Sequence, residues 1–482
     1  MQTSPASAAP NLSRRIAGQG ALLMSGFAAS QFLSFGRNAL LGHMLAKGDF
    51  GIAALLTLLL QLLDSLTDLG ADRLIIQAAD GDEPHFIATN HTALVIRGLF
   101  IGAVFFISAG SIAGFFAIPA AEGAIAAIAL VPLIKGFQHL DCRRAQRRLD
   151  NRPFLWIEIL PQATALLLAW PVITYVPNFN AIVWLSLIQA GMTLLVSHAV
   201  AERPYALNID FSILKRLLDF GWPIWLSAFP LIAVYHGDRI VIGRLIGIEE
   251  LAGYSAAFMV AMVPGLIAAK VGHSLMLPVF AAARGDAARL ARQFAAMTEA
   301  TTIIAAVYLV TAMLMGGLIL EVAFGPNFSG LGGVMAWLAA MWAVRMLQAV
   351  PGMVLLSTGE TKPFLIAGLI RSLALIPAVA VAAYGLGLEA VAAMGFFGEV
   401  ASLAYISWRM DAHAKGLSAS LARRAAFLIP AALAAGTALI ATTPSPLLPR
   451  ALALVLALSV ITAAAAALMP ETRGRLHNLL RT

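Results

Sequence analysis

GDRIVIGRLIGIEELAGYSAA, residues 237–257, sets two adjacent charges, Asp238 and Arg239, inside an apolar run that extends from about Phe220 to Ile248. The run exceeds the roughly 20 residues that a helix needs to cross a hydrocarbon core. A charge at the centre of such a helix costs about 2.5–3.5 kcal/mol on insertion scales, so each needs a partner or a wet cavity. Whether the run is a membrane span or the core of a large soluble protein therefore decides the fold.

Composition decides for the membrane. The 482 residues are 60% hydrophobic and 12% charged, with a mean hydropathy of +0.84. Soluble domains carry about 25% charged residues. Apolar blocks of this length leave no polar helical face to meet water. The single cysteine, Cys142, cannot form an internal disulfide. The opening MQTSPASAAPNLSRR lacks a signal-peptide apolar centre, so the helix after Arg15 reads as a retained first span.

Turn signals and charge clusters predict about fourteen spans, near 17–43, 51–79, 87–115, 118–138, 154–176, 181–199, 215–246, 250–277, 294–321, 331–356, 363–385, 387–409, 420–442 and 449–469. Prolines 132, 161, 223, 230, 264, 351 and 377 fall inside them, which membrane helices tolerate when neighbours satisfy the freed backbone groups. No segment between spans is long enough for a separate domain. Lys and Arg concentrate on one side, in 14–15, 143–152, 203–216, 284–292, 409–424 and 473–481, and the opposite side holds only Lys47, Arg244 and Arg450. The positive-inside rule then places both termini in the cytoplasm. DCRRAQRRLDNR (141–152) reads as an orientation determinant beside anionic lipid head groups. The net charge of +7 implies no nucleic-acid partner.

RNALLGHMLAKGDFGIAA (37–54) resembles DRIVIGRLIGIEELAGYSAA (238–257): Gly42 matches Gly243 and, after a one-residue gap, Gly51 matches Gly253. The offset of about 200 residues, six spans, predicts two six-helix bundles in pseudo-two-fold repeat. The expected organisation is an all-α polytopic membrane protein: a cytoplasmic tail 1–16, a first bundle 17–200, a cytoplasmic linker 201–214, a second bundle 215–412, two extra helices in 413–470, and a cytoplasmic tail 471–482.

The stretch FGWPIWLSAF…DRIVIGRLIGIEELAGYSAAF (220–258) resembles the seventh and eighth spans of polysaccharide repeat-unit flippases. SFGRNALLGHMLAKGDFGIAALLTLLLQLLDSLTDLGADRLIIQ (34–77) is similar to the first two spans of the same Wzx-type transporters. They belong to the multidrug/oligosaccharidyl-lipid/polysaccharide superfamily. The resemblance covers nearly the whole chain, through loose motifs of turn glycines and an Asp-Arg pair. It implies an inner-membrane protein moving an undecaprenyl-pyrophosphate-linked oligosaccharide from the cytoplasmic to the periplasmic leaflet by alternating access, for O-antigen, exopolysaccharide or capsule. Membrane lipids and other polysaccharide assembly proteins are its implied partners.

The deep charges are Arg37, Asp64, Asp68, Arg97, Asp238, Arg239, Arg345, Arg371 and Glu399. Their number predicts convergence on one polar cavity. Gln61, Asp64, Ser65, Asp68 and Asp72 follow at steps of three and four, a stripe down one helix face. Arg345 and Gln348 share a face. Asp238 is rotated by about 100° from Arg239, which favours pairing with a cation from another helix or the lining of a broad cavity. Arg37, Arg239, Arg345 and Arg371 offer planar donor forks to a pyrophosphate or an acidic sugar; structural ion pairing is the competing reading. Coupling to H⁺ or Na⁺ would fall to Asp64, Asp68 and Glu399, whose state can change through desolvation. Lys135, Lys270, Glu158 and Glu299 lie near span ends and read as snorkelling.

No Walker A pattern appears, and no catalytic residues, metal ligands or cofactor are expected. Two alternatives compete. An ion-coupled multidrug exporter of the same superfamily selects cations with acidic cavities, whereas the deep charges here include more Arg than acid. A polysaccharide polymerase or ligase places reactive residues in a large periplasmic loop, and the longest outside loop here spans about ten residues.

Overall fold

The computed structural model describes residues 9–428, 430–433, 436 and 447–468. Every element among the described residues is helical. Chain packing divides it into two compact units, one up to Ile232 and one from Ala233 on.

The first unit holds α1 (Ala9–Met44), α2 (Lys47–Leu66), α3 (Ala71–Gln77), α4 (Pro84–Phe115), α5 (Glu122–Ile128), α6 (Leu130–Gly136), α7 (Asp141–Arg147), α8 (Arg152–Tyr175) and α9 (Asn180–Ala199). α10 (Phe211–Leu245) runs across the division. Within this unit α8 packs between α1 and α9, and α4 lies along α6. The α4–α6 approach is close because it is made by glycines: a Cβ on Gly98 would sit 2.6 Å from the carbonyl oxygen of Pro132. Small residues at such crossings replace the hydrophobic drive that lipid does not supply.

The second unit holds α11 (Ile248–Ala281), α12 (Ala287–Phe324), α13 (Gly332–Ser357), α14 (Lys362–Leu373), α15 (Leu375–Ala383), α16 (Gly387–Asp411) and α17 (Leu417–Ala425), then a helix Leu447–Leu468. α13 is its centre, packed by α11, α12 and α16, with 83% of its most apolar stretch buried. Outward positions elsewhere carry large apolar side chains, such as Phe106, Ile107, Leu167 and Ile376. Such continuous exposed apolar surface suits lipid and not water. The protein is a multi-pass, all-α membrane protein.

Eleven stretches among the described residues are long and apolar enough to cross a membrane. Three of the fourteen expected spans are not among them. α1 has the length, at 36 residues, with a polar start at Arg14, Arg15 and Gln19. The span expected at 420–442 begins in α17 and lies in good part outside the described residues. The one expected at 449–469 is a helix whose apolar stretch, Ala451–Ala463, is shorter. The tail segments 1–8 and 469–482 also lie outside the described residues.

The duplicated motif has the same local form twice. α1 ends at Met44 and α2 starts at Lys47; α10 ends at Leu245 and α11 starts at Ile248. The expected span 51–79, however, is not one helix. α2 stops at Leu66 and α3 starts at Ala71, because Gly70 adopts the left-handed conformation, φ 69°. The Asp68 carboxylate accepts a hydrogen bond from the Gly70 backbone N–H at 2.8 Å and fixes the turn. The five-residue stripe therefore divides between two helices and a turn.

Candidate functional site

The break after α2 opens a cavity of about 700 Å³ within the first unit. α2 and the turn contribute Asp64, Ser65 and Asp68; α3 contributes Asp72 and Arg73. Across from them stand Arg97 of α4, Lys135 of α6, and Arg143 of α7. α8 adds Glu158 and Gln162, and α9 adds Gln189 and Thr193.

Most of these charges are matched. Arg97 Nη2 donates to the Asp64 backbone carbonyl at 3.0 Å and to its Oδ1 at 3.2 Å, while Nε donates to Thr67 Oγ1 at 2.9 Å. Lys135 Nζ stands 3.4 Å from Asp64 Oδ2, Arg73 Nη2 3.4 Å from Asp68 Oδ2, and Arg143 Nη2 2.6 Å from Asp72 Oδ2. Lys135 and Glu158 thus face the cavity and do not snorkel to head groups. Their depth along the helix says nothing of which way they point, and the packing of α6 and α8 turns them inward. Glu299, in contrast, is fully buried and pairs with Arg424 at 3.2 Å. The side chain of Lys270 lies outside the described residues.

At the rim, the Arg-rich segment turns inward too. Arg147 Nη1 donates to the carbonyls of Ile75, at 2.7 Å, and Ile76, at 2.9 Å, and so closes the C-terminal end of α3. Arg144 is buried and pairs with Asp141 and Glu202. Burial alone would raise the Asp141 carboxyl; the hydrogen bonds from Arg144 and the Glu202 backbone N–H overcome it and hold the group below the usual carboxylate range. Three of the arginines read as facing lipid head groups are spent on internal contacts. Burial meanwhile pushes the Cys142 thiol up to about 11.

Arg37 lies behind the α9 wall. Its Nη1 donates to Gln189 Oε1 at 2.6 Å, and its Nε is buried with no partner among the described residues. Arg37, Asp64 and Asp68 are therefore the predicted site residues that the first unit brings to or next to this cavity.

The second unit gathers the other six. Glu399 of α16 accepts from Arg345 Nε at 2.8 Å and from its Nη2. Arg371 of α14 approaches the same Oε1 at 3.7 Å. One turn on, Gln348 Nε2 donates to Ser402 Oγ at 2.8 Å, and Ser402 donates to the Ala367 carbonyl at 3.2 Å. The result is two stacked polar rungs joining α13, α16 and α14. Arg345 also lies over the rings of Tyr235 and Trp342, 4.9 and 4.5 Å from their centroids. Arg345 Nη1, Gln348 Oε1 and Glu399 Oε2 are buried without partners among the described residues.

The adjacent pair in the opening stretch is resolved differently from the expectation. Asp238 accepts from the Tyr254 hydroxyl of α11 and from the Arg239 backbone N–H, 2.8 Å, and no cation from another helix pairs with it among the described residues. Tyr254 is 16 residues on, directly across the α10–α11 hairpin. Arg239 folds back on its own helix: Nη2 contacts the Tyr235 carbonyl at 2.8 Å and His236 Nδ1 at 2.7 Å, and the guanidinium lies 4.9 Å over Phe258.

Gln138, Gln162, Gln189 and Thr193 were not singled out in the sequence. The available signal was polar pairing at helical spacing, Glu158/Gln162 on α8 and Gln189/Thr193 on α9.

The chain is similar in fold to three solved transporters. For the lipid II flippase MurJ in an inward closed conformation the TM-score is 0.73, at 11% identity over 92% of this chain and 99% of that one. For an inward-facing multidrug resistance MATE family transporter of the MOP superfamily it is 0.61, at 15% identity, covering 80% and 96%. For a MOP superfamily transporter from Pyrococcus furiosus it is 0.52, at 16% identity, covering 81% and 94%. A comparison of the sequence with curated proteins finds no match. Residues 40–331, more than half of the 482, match the family described as polysaccharide biosynthesis protein, and with the MOP-type fold the chain thereby belongs to the polysaccharide biosynthesis protein family.

Proposed function

We propose that the protein is a flippase that moves an undecaprenyl-pyrophosphate-linked oligosaccharide repeat unit from the cytoplasmic to the periplasmic leaflet of the inner membrane, by alternating access, for assembly of O-antigen, exopolysaccharide or capsule. The observation that carries the reading is the cavity of the first unit. Its lining holds the carboxylates Asp64, Asp68, Asp72 and Glu158, the cations Arg73, Arg97, Lys135 and Arg143, and several amides, among membrane-spanning helices. A pyrophosphate requires cations, and sugar hydroxyls require carboxylates and amides. A cavity selecting cationic drugs would instead be net acidic. Lys135 and Arg73 are the freer cations, each held by one bridge of 3.4 Å, and suit the pyrophosphate.

In the second unit, Arg345, Arg371, Arg239 and Gln348 supply further donors for the head group during its passage and Asp238 an acceptor for sugar hydroxyls, with Arg37 supporting the first. Asp64, Asp68 and Glu399 are the carboxylates through which H⁺ or Na⁺ would drive the cycle. The Lys/Arg bias of the loops supports cytoplasmic termini.

Depletion of the protein in its native host, followed by extraction of lipid-linked glycans, tests this directly. Complete repeat units should accumulate, accessible only to reagents added from the cytoplasmic side. Unchanged levels, or accumulation on the periplasmic leaflet, would reject the proposal.

A further inference from the structure

The cavity of the first unit has two unlike walls. On the wall formed by α2, α3, α4, α6 and α7, each cation already has a carboxylate: Arg97 and Lys135 share Asp64, Asp68 holds Arg73, and Asp72 holds Arg143. The wall formed by α8 and α9 presents Glu158, Gln162, Gln189 and Thr193, and no cation. Each pair is four residues apart, so each faces one way.

The polar atoms of this second wall are set in advance. Arg37 Nη1 donates to Gln189 Oε1 at 2.6 Å, which leaves the Gln189 amide nitrogen to donate. Gln162 Oε1 is buried without a partner among the described residues. The Thr193 hydroxyl donates to the Gln189 carbonyl at 2.9 Å and keeps its lone pairs for accepting. Glu158 makes no ion pair among the described residues, and Arg143, Lys135 and Asp72 are the charges that act on it.

An amide donor, an amide acceptor, a hydroxyl and a carboxylate match a polyol, in which every hydroxyl both donates and accepts. They do not match a carboxylated sugar. Glu158 on this wall would set like charge against a uronate, a repulsive element of the kind that sets specificity.

We propose that the α8–α9 wall, through Glu158, Gln162, Gln189 and Thr193, is a sugar-binding subsite selective for neutral, polyhydroxylated glycans over those bearing a uronic acid. The subsite rests on the flippase reading above and names its substrate class.

Proteoliposomes holding the full-length protein test it with two polyprenyl-pyrophosphate disaccharides of equal length, one neutral and one ending in a hexuronic acid. The unmodified protein should move the neutral lipid about tenfold faster, a discrimination of about 1.4 kcal/mol. Glu158→Gln should bring the two rates within about threefold by raising the uronate rate. Gln162→Glu should widen the gap. If Glu158→Gln is not recovered folded, the direction of the Gln162→Glu change decides alone. Equal rates for both lipids in the unmodified protein, or an unchanged ratio in the variants, would overturn the subsite and leave the flippase reading standing. No movement of either lipid would overturn that reading, and the subsite with it.

Discussion

Arg345 and Glu399 meet deep in the second unit, on α13 and α16, with side chains only 9% and 2% exposed. Both Nε, at 2.8 Å, and Nη2 of Arg345 converge on one oxygen, Oε1, and Oε2 has no partner among the described residues. Removing one member of such a buried pair leaves an uncompensated charge and costs about 3–5 kcal/mol, whereas removing both is much milder. Glu399→Leu should therefore destabilise the protein strongly, and Arg345→Leu with Glu399→Leu should recover much of the loss. Thermal unfolding in detergent measures both. A double variant no more stable than the sum of the singles would show that the two residues do not act as a pair.

The turn at Gly70 yields a second expectation. Its φ of 69° lies in the left-handed region, which costs a non-glycine residue about 1–2 kcal/mol. A Cβ there would also sit 2.6 Å from Ile224 Cδ1 and 3.2 Å from the Phe220 ring. Gly70→Ala should thus lower stability by at least about 1–2 kcal/mol, and Asp68→Ala, which removes the acceptor of the Gly70 N–H, by about 1 kcal/mol. Melting of the two variants against the parent checks this. An unchanged Gly70→Ala midpoint would mean that the helix break is not fixed by this residue.

What the sequence made legible follows from what each feature depends on. Apolar blocks and turn residues are local, so the spans and the paired α1–α2 and α10–α11 hairpins could be read directly. The break at Thr67–Gly70 could not. A lone glycine in a leucine-rich run reads as one that a membrane helix tolerates, and the Asp68 hydrogen bond that fixes the turn depends on backbone geometry. Site residues divide the same way. Asp64 stood out because a mid-span carboxylate is expensive anywhere, whereas the inward direction of Lys135 and Glu158 depends on how α6 and α8 pack. Asp238 found Tyr254, a neutral partner that a search for opposite charges passes over.

Cys142 gives a chemical test of the packing at the rim of the first unit. It is 3% exposed, and burial raises its thiol from 9.0 to about 11. At pH 8 the thiolate fraction should be about a hundredfold below that of an ordinary thiol, and the thiolate is the reactive form. Maleimide should label the native protein slowly and the unfolded protein fast. The linkage has a definite sign. The raised value means that the unfolded chain loses its proton first, so this group lowers stability as pH rises from about 9 to about 11, by up to about 1.4 kcal/mol per unit. Cys142→Ala should flatten that alkaline decline. Rapid native labelling at pH 8 would count against a buried thiol.

Asp64 is the strongest of the three coupling candidates, for reasons of placement. Asp68 is tied to the Gly70 backbone and to Arg73, and Glu399 is closed off with Arg345. Asp64 instead faces the cavity with its side chain 46% exposed while holding two cations, Arg97 at 3.2 Å and Lys135 at 3.4 Å. Neutralising it, by proton or by substitution, frees Lys135 and shifts the lining from balanced to net positive. A carboxylate that changes state during the cycle would thus alter the grip on a pyrophosphate at the same moment. Asp64→Asn should slow lipid movement in proteoliposomes at least tenfold and abolish its dependence on the driving gradient. Asp68→Asn and Glu399→Gln should act mainly on stability. The measurement is the rate at two proton gradients and two sodium gradients for each variant. A gradient dependence that survives Asp64→Asn unchanged would remove Asp64 from the coupling step and leave it as the structural anchor of Arg97.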